Sequence, residues 1–273
     1  MEAAPPILQE SKPMSRGRWV IHLVLITAYL VMIAGLALFR NKPHQPALSH
    51  TASGLLLVSA LELLSFGVFF GAAWAASRAS GDDLLLRWRK NVLPVVLGVA
   101  YSVGLRAALA VVTAVVSVFL ILTHVMTMAS LQDFMIQNRP GIENAVDVEA
   151  LRDNPAYLWL TLTLVSFGVA GLREELWRSS FLAGMKNVWP RQFSSILGQL
   201  GAVAIAAVIF GSAHISMGIL AALMAGILGL GLGVIMVLHR SIWPAVLAHG
   251  FFDATSMALI PWALELMKQL PKH

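Results

Sequence analysis

From residue 19 onward, long apolar runs alternate with short polar breaks, and the runs are too long and too uniform for strands. The clearest cover residues 19–38, 54–76, 157–185, 193–213, 217–238 and 242–260. A helix rises 1.5 Å per residue, so about 20 apolar residues cross a hydrocarbon layer of about 30 Å. The pattern predicts an all-α, polytopic membrane helix bundle of about seven spans, within a range of six to eight. The run 19–38 is longer than the apolar region of a signal peptide and no small-x-small site follows it, so it reads as an uncleaved first span. Residues 92–128 are too long for one straight crossing and contain Arg106. They predict a tilted or interfacial lead-in followed by a span from about residue 107.

Composition supports this picture. Of 273 residues, 58% are hydrophobic and 12% charged, against about 25% charged in soluble domains. Mean hydropathy is +0.77. The net charge of +5 is no nucleic-acid footprint, because the basic residues gather between the runs. Lys12, Arg16 and Arg18 precede the first run, Arg78, Arg87, Arg89 and Lys90 follow the second, and Lys186 and Arg191 follow the fourth. Residues 129–155 are mostly acidic, with Asp133, Glu143, Asp147, Glu149 and Asp153 against Arg139 and Arg152. Basic loops stay inside, so the N-terminus is expected in the cytoplasm. Without cysteine, disulfides, thiolate metal sites and a cysteine nucleophile are excluded. The expected organisation is one integral membrane domain. Spans and loops fill 1–153, a helical core fills 154–262, and a short tail follows at 263–273.

Three polar insertions interrupt the last apolar helices. Glu174, Glu175 and Arg178 lie in GLREELWRSSFLAG, His214 closes FGSAH, and His249 and Asp253 lie in HGFFD. Glu174 and Arg178 are four apart and share a helix face, whereas Glu175 points about 100° away. His249 and Asp253 are also four apart. Ionisable groups at such depth are costly unless paired or facing water, which marks them as functional candidates. By residue count Glu174 lies ~17 Å and His249 ~10 Å from the cytoplasmic ends of their helices. His214 comes out nearer the far side, so tilted or broken helices are expected to bring it level.

EExxxR, FxxxH and HxxxD, in this order, resemble the CPBP family of intramembrane proteases. That family includes the CAAX prenyl endopeptidases and bacterial abortive-infection or bacteriocin-processing relatives. The resemblance covers about residues 154–262. It implies an intramembrane endopeptidase of the bacterial cytoplasmic membrane, acting on membrane-associated or lipidated proteins or peptides. Glu174 would then activate water with help from His214, and His249 and Asp253 would stabilise the intermediate or complete a metal site. Glu175, Arg178 and Phe210 would support the geometry. The family's Asn is Asp253 here, and an ionised carboxylate accepts hydrogen bonds but donates none. That favours metal ligation or orientation of His249 over an oxyanion role. Glu174, His214, His249 and Asp253 could hold one zinc ion. There is no HExxH, however, and a metal-free mechanism resting on the glutamate is the alternative.

Blander readings compete. The charged cluster could be a structural ion pair, the histidines helix-packing hydrogen bonds, and Phe210 simple packing. Glu62, Arg106 and His124 read as interhelical pairing or snorkelling groups. A scaffold or immunity factor without catalysis is the second functional class, and an ion-coupled transporter the third. No internal repeat supports the transporter.

Overall fold

The computed structural model describes residues 15–39, 49–88, 91–139 and 146–269. The polar N-terminal stretch with Lys12, the basic pair Arg89 and Lys90, Glu143 of the acidic loop and the end of the tail lie outside those residues. The described chain is helical with no strand. Its helices are α1 (Arg16–Phe39), α2 (Ala52–Ser77), α3 (Leu93–Leu122), α4 (Met128–Gln137), α5 (Val148–Asp153) and α6 (Pro155–Leu160). A π-helical stretch (Thr161–Arg173) then runs into α7 (Glu174–Val188), followed by α8 (Pro190–Phe193) and α9 (Ile196–Ala213). After a 3-10 turn (Ile215–Met217) come α10 (Ile219–His239) and α11 (Trp243–Gln269).

Among the described residues, six segments are long and apolar enough to cross a membrane: α1, α2, α3, the joined helix Pro155–Val188, α9 and α10. With α11 packed along α3 and the π stretch, the all-α polytopic bundle is as the pattern predicts. Large apolar side chains point outward, among them Val111, Val115, Val118 and Phe119 of α3. In water such a surface would aggregate; in a bilayer it is the lipid-facing side. One expectation needs correction. Residues 92–128 do not divide into a lead-in and a span, because α3 is continuous from Leu93 to Leu122. Arg106 does not break it, because its guanidinium turns inward and finds acceptors on α11.

The core lies where α1, α2, α7, α9, α10 and α11 meet, around Ile26, Phe66, Trp177, Phe181, Leu232, Met236 and Ile242. Gly171 and Gly250 allow the closest approach in it. A Cβ on Gly171 would stand 2.8 Å from the Val246 carbonyl oxygen, and one on Gly250 would stand 2.2 Å from the Phe167 ring. Both distances are below real contact, so only hydrogen at these positions lets the π stretch lie against α11. That contact carries the next turn, with Glu174 and Glu175, against His249.

Candidate active site

Glu174 and Glu175 open α7 where the π winding ends. π-turns are frequent at functional sites. The pairing differs from the four-residue expectation. Arg178 pairs with Glu175, three residues earlier, and both side chains are fully buried. Positions three apart are also neighbours on a helix. Glu174 is held instead by Arg173, whose Nη2 lies 2.8 Å from its Oε1. Arg173 Nη1 reaches Glu62 Oε2 of α2 at 2.7 Å, and Tyr29 OH of α1 at 3.5 Å. Glu62 is thus an interhelical pairing group, and it acts one residue away from the site.

His249 is 3% exposed and is gripped from both sides. Its Nδ1 lies 3.0 Å from Glu175 Oε1, so Arg178, Glu175 and His249 form one buried chain. The opposite nitrogen, Nε2, lies 3.8 Å from Glu174 Oε2 and 3.7 Å from Asp253 Oδ2. With Nδ1–H donated to Glu175, Nε2 is the nitrogen turned toward Glu174 and Asp253.

His214 caps the C-terminus of α9, where the helix breaks into the 3-10 turn and Gly218, at φ 106°, starts α10. The turn falls between the two apolar runs 193–213 and 217–238, at the break the sequence pattern already marks. His214 Nδ1 donates to the Phe210 carbonyl at 2.8 Å, which leaves Nε2 as the nitrogen outside that bond. Phe210 sits among the motifs, with ring centroids 4.7 Å from His214 and 6.2 Å from His249. The Arg178 guanidinium lies 4.9 Å over the same ring. Its Nε and Nη2 find no hydrogen-bond acceptor among the described residues, so the aromatic face and Glu175 are what receive the charge.

Sequence reasoning gave Arg106 no part in this site. It donates to the Phe252 carbonyl at 2.5 Å, to Thr255 and to Ser256 at 3.3 Å, and from its other nitrogen to Ser102. It also lies 4.3 Å from the Phe252 ring centre. It therefore grips α11 on both sides of Asp253. Arg173 was missed as well. The available signal was Glu62, an intramembrane carboxylate that needed a cation.

Two donors ~2.1 Å from a tetrahedral ion stand ~3.4 Å apart, close to the gaps around His249 Nε2. Even so, among the described residues no three His, Asp or Glu side chains converge to hold one ion.

Residues 155–255 match the family model described as type II CAAX prenyl endopeptidase Rce1-like. That match supports a kinship of this stretch with the CPBP/CAAX protease family. The match contains all three motifs and bears out the resemblance drawn from them. No curated protein and no solved structure matches the chain. The family and the six apolar helices make this an integral membrane protein. They support a function of the CAAX-type intramembrane protease kind, with a protein as substrate.

Proposed function

We propose that this protein is an intramembrane endopeptidase that hydrolyses membrane-associated or lipidated proteins or peptides, with Glu174 as general base. The observation that carries the proposal is the setting of His249. Its Nδ1 is fixed by a buried carboxylate, and its Nε2 stands 3.8 Å from Glu174. That gap is too long for a direct hydrogen bond and suits a bridging water. Glu174 Oε2 takes a proton from that water as the oxygen attacks the scissile carbonyl, then returns it to the leaving amine. His214, with Nδ1 held by the Phe210 carbonyl, offers Nε2 as a second contact for the water. Three guanidiniums (Arg106, Arg173, Arg178) face four carboxylates (Glu62, Glu174, Glu175, Asp253), so one imidazolium balances the cluster. His249 as that imidazolium donates through Nε2 to the oxyanion. Asp253, an acceptor only, places its carboxylate 3.7 Å from that nitrogen, where it favours the charged ring. Placing charged donors in a water-poor site is what makes them effective there.

The basic segments around Arg78, Arg87, Lys186 and Arg240 put that face in the cytoplasm by the positive-inside rule, with the N-terminus on the same side. The test compares membrane-protein termini by mass spectrometry in cells carrying wild type or Glu174→Ala at matched levels. A terminus found only with wild type is expected. Full rescue of a deletion phenotype by Glu174→Ala, with no terminus differing, would replace the protease by a scaffold.

A further inference from the structure

A cavity opens on the basic face of the bundle, apart from the glutamates and histidines of the candidate site. It measures ≈ 610 Å³ and lies between the 79–88 loop, the C-terminal half of α7, the N-terminus of α9 and the C-terminus of α10. That is the size of a small organic ligand, much larger than a lone ion. Its floor is apolar, from Leu182, Ala202 and Val237, and its rim is polar.

The rim is built and held. Ser179 Oγ donates to the Leu84 carbonyl at 2.7 Å, Ile242 N to Leu85 at 2.9 Å, Trp243 Nε1 to Leu86 at 3.0 Å and Ser241 Oγ to Arg87 at 2.8 Å. Four successive loop carbonyls are therefore tied to α7 and to the α10–α11 junction. Among the described residues four non-glycine positions have positive φ, and two of them, Leu85 (57°) and Arg240 (47°), line this one cavity. Left-handed backbone disfavours side chains with a Cβ, and such outliers gather at functional sites. Arg240 is the C-cap of α10, where glycine is the usual residue. An arginine there retains a charge at the expense of backbone ease.

The rim charges do not simply cancel. Arg87 is paired with Asp82 at 2.8 Å, and Asp83 Oδ2 accepts from the Ser80 amide and hydroxyl. The side chains of Lys186 and Arg240 have no ion-pair or hydrogen-bond partner among the described residues, yet both line the cavity. The N-terminal end of α9 adds its positive dipole through Ser194 and Gln199. We propose that this cavity binds an organic phosphate, with Lys186 and Arg240 holding the anion and the apolar floor holding the adjoining carbons. The same chemistry is presented by an anionic phospholipid headgroup and by a soluble phosphate ester.

The experiment melts the purified full chain in detergent while titrating phosphatidylglycerol, phosphatidylcholine or glycerol 3-phosphate. Phosphatidylglycerol is expected to raise the midpoint where phosphatidylcholine does not, and Lys186→Gln with Arg240→Gly should weaken that binding at least tenfold. Glycine suits the left-handed position, so Arg240→Gly should fold and melt no lower than wild type without ligand. Equal stabilisation by glycerol 3-phosphate supports the site with a soluble ligand; stabilisation by phosphatidylglycerol alone supports it with a lipid. The proposal is overturned if neither phosphate stabilises the protein, if phosphatidylcholine works equally well, or if the variants bind as wild type does.

Discussion

Replacing Glu175 with leucine strikes two partners at once. Arg178 loses the one carboxylate it pairs with, and His249 loses the acceptor of its Nδ1–H. All three side chains are buried, so water cannot replace what is lost. Removing one member of a buried ion pair costs about 3–5 kcal/mol, chiefly because it strands the other charge. At ~2–4 °C per kcal/mol for a chain of this size, the melting midpoint falls by roughly 10 °C. The double change Glu175→Leu/Arg178→Met removes the stranded charge and should recover most of that stability, since an apolar pair can replace a buried ionic one at little cost. It should not recover activity, because the His249 ring would still lack the acceptor that fixes its orientation. Thermal melting in detergent, alongside cleavage of a substrate found by terminal profiling, reads both effects. If Glu175→Leu melts within ~2 °C of wild type, or the double variant is no better than the single, the buried chain does not hold the site.

Other changes act at separate places. Gly171→Ala puts a methyl group 2.8 Å from the Val246 oxygen and should force α11 away from the π stretch, lowering both midpoint and turnover. Wild-type turnover in that variant would show the close approach to be dispensable. Arg106→Met should lower turnover strongly while the protein still inserts, since α11 loses its anchors on both sides of Asp253; unchanged turnover would limit Arg106 to packing. On the acidic side of the bundle, Asp147 caps α5 through the Ala150 amide and accepts from His50 at 2.5 Å, and these contacts hold its carboxyl below the usual 3.8. Such a depressed carboxyl stabilises the fold above that value and loses its contribution as pH falls below it. Hydrogen-exchange protection factors in α5 should therefore stay level down to about pH 4 and drop below. A drop already complete at pH 5 would contradict the cap.

Much of this was legible in the sequence because length and apolarity decide which segments can span a bilayer. The three motifs were legible because charged groups inside such segments are conspicuous. The pairing within them was not. A four-residue rule joined Arg178 to Glu174, whereas in the structure Arg173 holds Glu174 and Arg178 pairs with Glu175, which also meets His249. No period in the sequence announces π winding, since Thr161–Arg173 reads as an ordinary apolar helix. Arg106 was equally hidden, as its acceptors lie about 150 residues away on α11 and two of its contacts are to Phe252 and Ser102 backbone. Phe210 looked like packing and does pack, but it packs against both imidazoles and Arg178 together.

The central claim is that Glu174 drives attack of water on a peptide bond within the membrane. Membranes from cells expressing wild type or Glu174→Gln at equal levels, incubated in ¹⁸O-enriched water, test it directly. Each hydrolysis leaves one heavy oxygen in a new C-terminal carboxylate, which mass spectrometry locates in whichever membrane protein is cut. The account predicts labelled C-termini of membrane proteins with wild type that are absent with Glu174→Gln. Identical labelling in the two samples would contradict it.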